Sequence, residues 1–188
     1  MPYLSAPVDS NWADCRTTRK STSGGALRHG AHVLCTWSVT QAVQALSSGE
    51  AEFYSVLKGV VEALGFQAVA TELGCTWLKQ PRVGSDSSAA RGAVFRHGLG
   101  KLKHMDLKYL WVQGALRAGR FGLYKELGDT NFGDLMTKHL GMVKMEDLSM
   151  RGGFAFREGR APEAPQLEDG AATQRISVIF APSALGMG

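Results

Sequence analysis

Ala45-Leu46-Ser47-Ser48-Gly49-Glu50-Ala51-Glu52-Phe53-Tyr54 opens the most legible element of this chain. Ser47 or Ser48 can cap a helix by accepting from its free amides, and Glu50 and Glu52 stand in the first turn, where acids suit the helix dipole. Phe53, Leu57, Val60 or Val61, Leu64 and Ala68 then recur at helical spacing, and Leu73-Gly74 is a natural stop. Downstream, Gly84-Ser85-Asp86-Ser87-Ser88 reads as a short strand delivering an acid into a loop. Two carboxylates brought to one place are what a divalent metal site asks for.

Working outward, three extended segments precede the helix. Val8 to Trp12 is brief, and Pro7 should mark its beginning, because a proline cannot donate to a ladder. Ser21 to Arg28 and His32 to Val39 are joined by His29-Gly30-Ala31, a connection of hairpin length. After the helix come a strand over Arg82 to Asp86 and a short helix over Ser87 to Phe95. A helix over Asp106 to Ala118, a strand over Arg120 to Lys125 and a last helix follow, the last capped by Thr130 or Asn131 and running to Leu140. This order predicts an α/β fold with a mixed sheet: three antiparallel strands, then two that lie parallel after right-handed crossovers. The domain spans residues 1–140. Residues 141–188, with Gly152-Gly153, Pro162 and Pro165, read as a flexible or poorly structured tail.

Composition narrows the class without choosing the function. A hydrophobic share of 44% with 20% charged residues fits a globular protein. No apolar run approaches the ~18 residues that span a bilayer, so no membrane partner is expected. The N-terminus lacks a basic start followed by an apolar stretch, which makes an intracellular setting the default expectation. Cys15, Cys35 and Cys75 are odd in number and far apart, matching neither a disulfide framework nor a zinc pattern; buried free thiols are expected. The net charge of +4 is uneven, with +5 in residues 1–140 and −1 in the rest. A basic body fits an anionic partner, and alone it decides nothing.

Four acids stand at the edges of the predicted elements: Asp9, Glu52, Asp86 and Asp134. Sites in open α/β sheets form at the carboxyl ends of parallel strands. A fan of carboxylates there repels itself unless it holds cations, and hard ions such as Mg²⁺ prefer oxygen ligands. Two such ions about 4 Å apart can activate a water on one side of a phosphodiester and steady the leaving oxygen on the other. Acids are common at caps and strand ends for local reasons, so the weight rests on their combination in this element order.

The blocks that carry these acids resemble a known family. They are Asp9-Ser10-Asn11-Trp12-Ala13, Arg19-Lys20-Ser21-Thr22-Ser23-Gly24, Thr36-Trp37-Ser38, Ala45 to Phe53, Ser85-Asp86-Ser87-Ser88-Ala89, Lys103-His104-Met105-Asp106 and Asn131-Phe132-Gly133-Asp134-Leu135-Met136-Thr137-Lys138. In this order they are similar to the ribonuclease H domain of copia-type LTR retrotransposon polyproteins, over about Val8 to Leu140. The resemblance implies a ribonuclease H-like fold with helices on both sheet faces. It also implies hydrolysis of the RNA strand of an RNA–DNA hybrid with two Mg²⁺ or Mn²⁺ ions.

On that resemblance Asp9, Glu52, Asp86 and Asp134 are the catalytic carboxylates and metal ligands. Glu50 competes for the helix position, and Glu52 is preferred because it directly precedes the large apolar Phe53. Asn11 stands where the family usually has a second Asp. Arg16, Arg19, Lys20, Arg96, Lys101, Lys103 and His104 are candidates for gripping the hybrid's phosphates. Trp37 and Trp111 could stack on bases, although core packing is the commoner use. The resemblance further implies a reverse transcriptase domain in the same polyprotein, and a cytoplasmic virus-like particle or the nucleus as the setting. The competing readings are a decayed retroelement fragment that only binds nucleic acid, and an integrase-like nuclease that would leave Asp134 without a role.

Overall fold

The computed structural model describes residues 3–75, 78–98, 108–157, 159 and 177–180. The chain begins as an antiparallel meander of β1 (Leu4–Asn11), β2 (Thr22–His29) and β3 (His32–Thr40). Helix α1 (Ser48–Glu72) then leads to β4 (Arg82–Ser85), and α2 (Ser88–Phe95) and α3 (Lys108–Arg117) lead to β5 (Gly122–Lys125). The sheet order is β3-β2-β1-β4-β5, with β4 parallel to β1 and β5 parallel to β4. This is the expected five-stranded mixed sheet, three antiparallel strands followed by two that lie parallel.

β1 is longer than its sequence suggested. It runs through Pro7 at the middle of the sheet instead of starting at Val8. Its pairing with β2 holds at Leu4 and Ser5 and again from Val8 to Asn11, and skips Ala6 and Pro7. The missing N–H of proline therefore falls where the ladder is already broken. Gly25 of β2 lies so close that a Cβ there would come within 2.9 Å of the Pro7 carbonyl oxygen, so only glycine lets the strands stay adjacent across the break.

One face of the sheet carries the main core. Leu4, Ala6 and Val8 of β1 and Val83 of β4 meet Phe53, Val56, Val60 and Ala63 of α1, and Ala90, Val94, Val112 and Ala115 extend the cluster into α2 and α3. Each such Val or Phe contributes roughly 1.5–3 kcal/mol relative to exposure. Gly59 permits the close crossing, since a Cβ there would stand 2.6 Å from Val8 Cγ1. α1 is 25 residues long with a mean hydropathy of 1.2 over its most apolar window, enough by length and composition to cross a bilayer. One face of it packs on the sheet, where Ala51, Phe53, Val56, Val60 and Ala63 are buried, while Val61, Phe66 and Val69 are exposed.

The other face is covered by a smaller cluster of Ala26, Val33 and Phe132, with Leu135 and Phe154 packed on it. The helix expected from Thr130 or Asn131 to Leu140 is instead two 3₁₀ turns, Gly128–Thr130 and Phe132–Met136. The reason is tertiary: the second turn is seated on the strands, with Asn131 bonded to the Val8 carbonyl and Gly133 against the Val8 and Asp9 backbone. Residues 142–157, read from sequence as part of a tail, form α4 (Met142–Arg151) and β6 (Phe154–Arg157). Leu148 of α4 is fully buried, and the Phe154 ring stacks on Phe132 at 6.4 Å between centroids. β6 pairs antiparallel with β7 (Ser177–Phe180). The cysteines also depart from expectation. All three are free, but Cys15 and Cys35 are exposed and Cys75 is half-buried, because they fall in a loop, on the edge strand β3 and just past the end of α1.

Candidate metal centre

β1 and β4 run parallel, so Asp9 near the end of one and Asp86 just past the end of the other emerge at the same edge of the sheet. α1 begins at that edge, and its cap decides which of its two acids reaches the strands. Ser47 Oγ accepts from the Glu50 amide at 3.2 Å, and Glu50 Oε2 accepts from the Leu46 amide at 2.9 Å, a reciprocal arrangement of the capping-box kind. The Tyr54 hydroxyl donates to Glu50 Oε1 at 3.0 Å. Glu50 is thus buried and occupied with the helix start. Glu52, two residues on, turns towards β1, where its Oε1 accepts from the Ser10 amide at 3.3 Å.

Asp9, Glu52 and Asp86 each offer a carboxylate oxygen within 4.8 Å of the other two. The Asp86 loop is fixed by Arg91, whose Nη1 donates to the carbonyls of Ser85 at 2.8 Å and Asp86 at 3.0 Å. Burial, together with the charges of Asp9 and Asp86, pushes the Glu52 carboxyl up to about 8. Burial likewise raises Asp9, against the lowering effect of Thr137 and Lys138. Glu52 Oε2 is buried with no hydrogen-bond partner among the described residues. An orphaned acceptor facing two further carboxylates is the donor set of a hard divalent cation, and the residues present fit such an ion.

The fourth acid is placed differently. Asn131 is fully buried, donates from Nδ2 to the Val8 carbonyl at 3.0 Å and accepts from the Gly133 amide at 3.0 Å. A Cβ on Gly133 would stand 2.8 Å from the Asp9 nitrogen, so the turn lies directly on β1. Asp134 is thereby brought to Asp9, and Lys138 joins them. Its Nζ lies 2.7 Å from Asp134 Oδ1 and 3.2 Å from Asp9 Oδ1. Thr137 Oγ1 donates to the other Asp9 oxygen, Oδ2. Burial acts to lower the Lys138 ammonium's pKa, but hydrogen bonds and charge from Asp134 and Asp9 hold it above the ordinary lysine value. Lys138 and Thr137 were missed as site residues, although the spacing of Asp134 and Lys138, one helical turn apart, is the usual pairing signal.

Asn11 is structural. Its Oδ1 accepts from the Thr22 amide at 2.6 Å, and its Nδ2 donates to Thr137 O at 3.3 Å and Asp14 Oδ2 at 3.1 Å. A carboxylate there could accept from Thr22 but not donate.

Arg16, Arg19 and Lys20 lie in the β1–β2 loop, which starts at the carboxylate edge. Arg19 closes a turn with φ of 54°, donating its amide to Cys15 O at 2.7 Å. The loop is tied to the approach of α1 through Trp12 Nε1 to Ala45 O at 3.1 Å and Gln44 Nε2 to Thr18 O at 2.6 Å. Trp12 is 53% exposed on this loop, and the sequence reading passed over it. Arg96 stands past the far end of α2, roughly 12 Å of helix from Asp86, and is not brought to the carboxylates. Lys101, Lys103 and His104 lie outside the described residues. Trp37 belongs to the main core, and Trp111 is 40% exposed with Arg120 over its ring at 5.7 Å.

No protein-family model matches this chain. Solved structures similar to it include LC11-RNase H1, isolated from compost by a metagenomic approach (11% identity, TM-score 0.45, covering 70% of this chain and 89% of that one). The N-terminal RNase H domain of a Mycobacterium tuberculosis protein, solved as a fusion with maltose-binding protein, is 19% identical with a TM-score of 0.46. It covers 80% of this chain and 98% of that one. The protease–reverse transcriptase of prototype foamy virus is 13% identical with a TM-score of 0.42, over 80% of this chain and 20% of the viral one.

Proposed function

We propose that this chain hydrolyses the RNA strand of RNA–DNA hybrids with two divalent ions, Mg²⁺ or Mn²⁺, as part of a copia-type retrotransposon Pol polyprotein. The observation that carries this reading is the meeting of Asp9, Glu52 and Asp86, from two strand ends and a helix start, with oxygens within 4.8 Å of one another. A divalent ion bound there supplies the positive charge that favours attack on a phosphodiester and steadies the departing oxygen. The chain's own contribution is position. Ser10 and Arg91 hold Glu52 and the Asp86 loop, and Asn131 seats the turn that brings Asp134 beside Asp9. Arg16, Arg19 and Lys20, on the loop beside the carboxylates, take the hybrid's phosphates, and Trp12 offers an apolar surface next to them. Recognition then rests on backbone shape and 2′-hydroxyls. A reverse transcriptase domain of the same polyprotein is the expected partner, and a cytoplasmic virus-like particle or the nucleus the setting.

The test is incubation of the chain with an end-labelled hybrid in Mg²⁺ or Mn²⁺. RNA fragments with 5′-phosphate and 3′-hydroxyl ends are expected, and they should vanish in Glu52→Gln and Asp86→Asn. No cleavage in either metal, with binding that weakens steeply as salt rises, would overturn the enzyme reading in favour of a binding-only fragment.

A further inference from the structure

Asp134 is the acid that the three-carboxylate cluster leaves out. Its carboxylate is not open: Lys138 Nζ lies against Asp134 Oδ1 and Asp9 Oδ1 together, at 2.7 and 3.2 Å. Asp9 is therefore shared. With Glu52 and Asp86 it forms one cation site, and with Asp134 it forms a second position that already holds a positive charge. Both of those acids are nearly buried, with side chains 2% and 9% exposed, while the lysine is 42% exposed and reaches in from solvent. Two close, desolvated carboxylates need a counter-charge, and a charge-assisted hydrogen bond to each supplies it. Asp134 and Lys138 are i and i+4, so the lysine is delivered by the same turn that delivers the acid.

We propose that Lys138 is a built-in cation at the second metal position, so that the chain without nucleic acid takes up one divalent ion, at Asp9, Glu52 and Asp86. The inference rests on the reading of these carboxylates as a metal centre. It assigns Lys138 a positioning and gating part. While the ammonium stands between Asp9 and Asp134, a second divalent ion there would meet a like charge at hydrogen-bond distance from its own ligands.

The experiment counts bound Mn²⁺ on the full chain, by calorimetric titration and by loss of the free-ion paramagnetic resonance signal. The variants are Lys138→Met, Lys138→Gln and Lys138→Arg, with folding checked by circular dichroism. One ion is expected in the wild type and in Lys138→Arg, which keeps the charge. Two are expected in Lys138→Met and Lys138→Gln, and the second should disappear again when Asp134→Asn is added. Two ions in the wild type, or one in folded Lys138→Met and Lys138→Gln, would overturn the role of Lys138 and leave the metal centre standing. No ion in any of these proteins would overturn the metal centre itself, and the inference with it. If both neutral variants fail to fold, the wild-type count still decides, since two ions there refute the gating and one supports it.

Discussion

Replacing Glu52 with Gln should stabilise the chain in the absence of divalent metal, and by an amount that depends on pH. The Glu52 carboxyl is held at about 8 in the fold against an ordinary 4.5, chiefly by burial and then by Asp9 and Asp86. Its folded pKa is raised, so the folded state binds the proton more tightly than the unfolded one. The stability tied to that proton is fully present below about pH 4.5 and is lost as pH rises towards 8. Each unit of difference corresponds to about 1.4 kcal/mol, which puts the ceiling near 5 kcal/mol; screening in a site partly open to water reduces it to about 2–3 kcal/mol. Gln keeps the acceptor for the Ser10 amide and places an amide donor where the unpartnered Glu52 Oε2 faces two carboxylates. In EDTA at pH 8, Glu52→Gln should therefore melt roughly 5–10 °C above the wild type, and at pH 5 the two should nearly coincide. Saturating Mg²⁺ should raise the wild-type Tm and leave the variant almost unmoved, because only the wild type gains a ligand charge to be neutralised. Thermal melts across pH 5 to 8, with and without metal, read all of this. Equal melting temperatures in EDTA over the whole range, or an equal rise of both proteins with Mg²⁺, would refute the reasoning.

Two further substitutions separate holding the fold from holding the site. Glu50→Ala removes the acceptor for the Leu46 amide and the Tyr54 hydroxyl, and should cost about 2–3 kcal/mol by thermal melting. Below its melting range this variant should cleave hybrid within about threefold of the wild type, by the tenfold-per-1.4 kcal/mol scale of activation free energies; loss of cleavage in a folded protein would show that Glu50, not Glu52, is the working acid. Gly133→Ala sets a Cβ 2.8 Å from backbone atoms of Val8 and Asp9, which cannot swing aside, and should cost about 1–3 kcal/mol. Because that push falls between Asp9 and Asp134, it should also weaken Mn²⁺ binding, and an unchanged titration would place the metal away from this turn.

The parts of the fold that could be read from sequence are those set by neighbours in the chain. Ser47, Ser87 and Gly74 bound their helices as capping chemistry requires: Ser47 and Ser87 accept from the amides three residues on, and Gly74 has the positive φ of 85° that ends α1. Asp86 could be placed because a short strand can only deliver it at its end. What could not be read depends on distant partners. The turn over Phe132–Met136 carries helical spacing, and its seat on β1 runs through Asn131 reaching a carbonyl 123 residues away. Half of α4 is apolar, yet Met142, Val143 and Met150 face solvent, and it is the burial of Leu148 and the stacking of Phe154 on Phe132 that tie residues 142–157 to the fold. Pro7 read as the start of β1 because periodicity cannot show where a ladder is already interrupted. Lys138 could be paired with Asp134 from spacing alone, but its second partner, Asp9, lies 129 positions away.

These long-range contacts explain how Asp9 can be well placed on a strand whose pairing with β2 is interrupted at Pro7. The four residues from Val8 to Asn11 are each gripped by another element. Asn131 takes the Val8 carbonyl, Ser55 of α1 takes the Asp9 carbonyl, Glu52 takes the Ser10 amide, and Asn11 holds the Thr22 amide and the Thr137 carbonyl. The position of Asp9 is thus set by α1, β2 and the Asp134 turn rather than by the continuity of β1 upstream. The same contacts couple the ligands to one another. Glu52 is both a carboxylate of the site and a clamp on the strand that carries Asp9, and Thr137 and Lys138 grip Asp9 from the turn that carries Asp134. Moving any one of these acids therefore shifts the others, so substitutions at Glu52 and Asp134 should prove non-additive with those at Asp9, as residues sharing one hydrogen-bond network generally are.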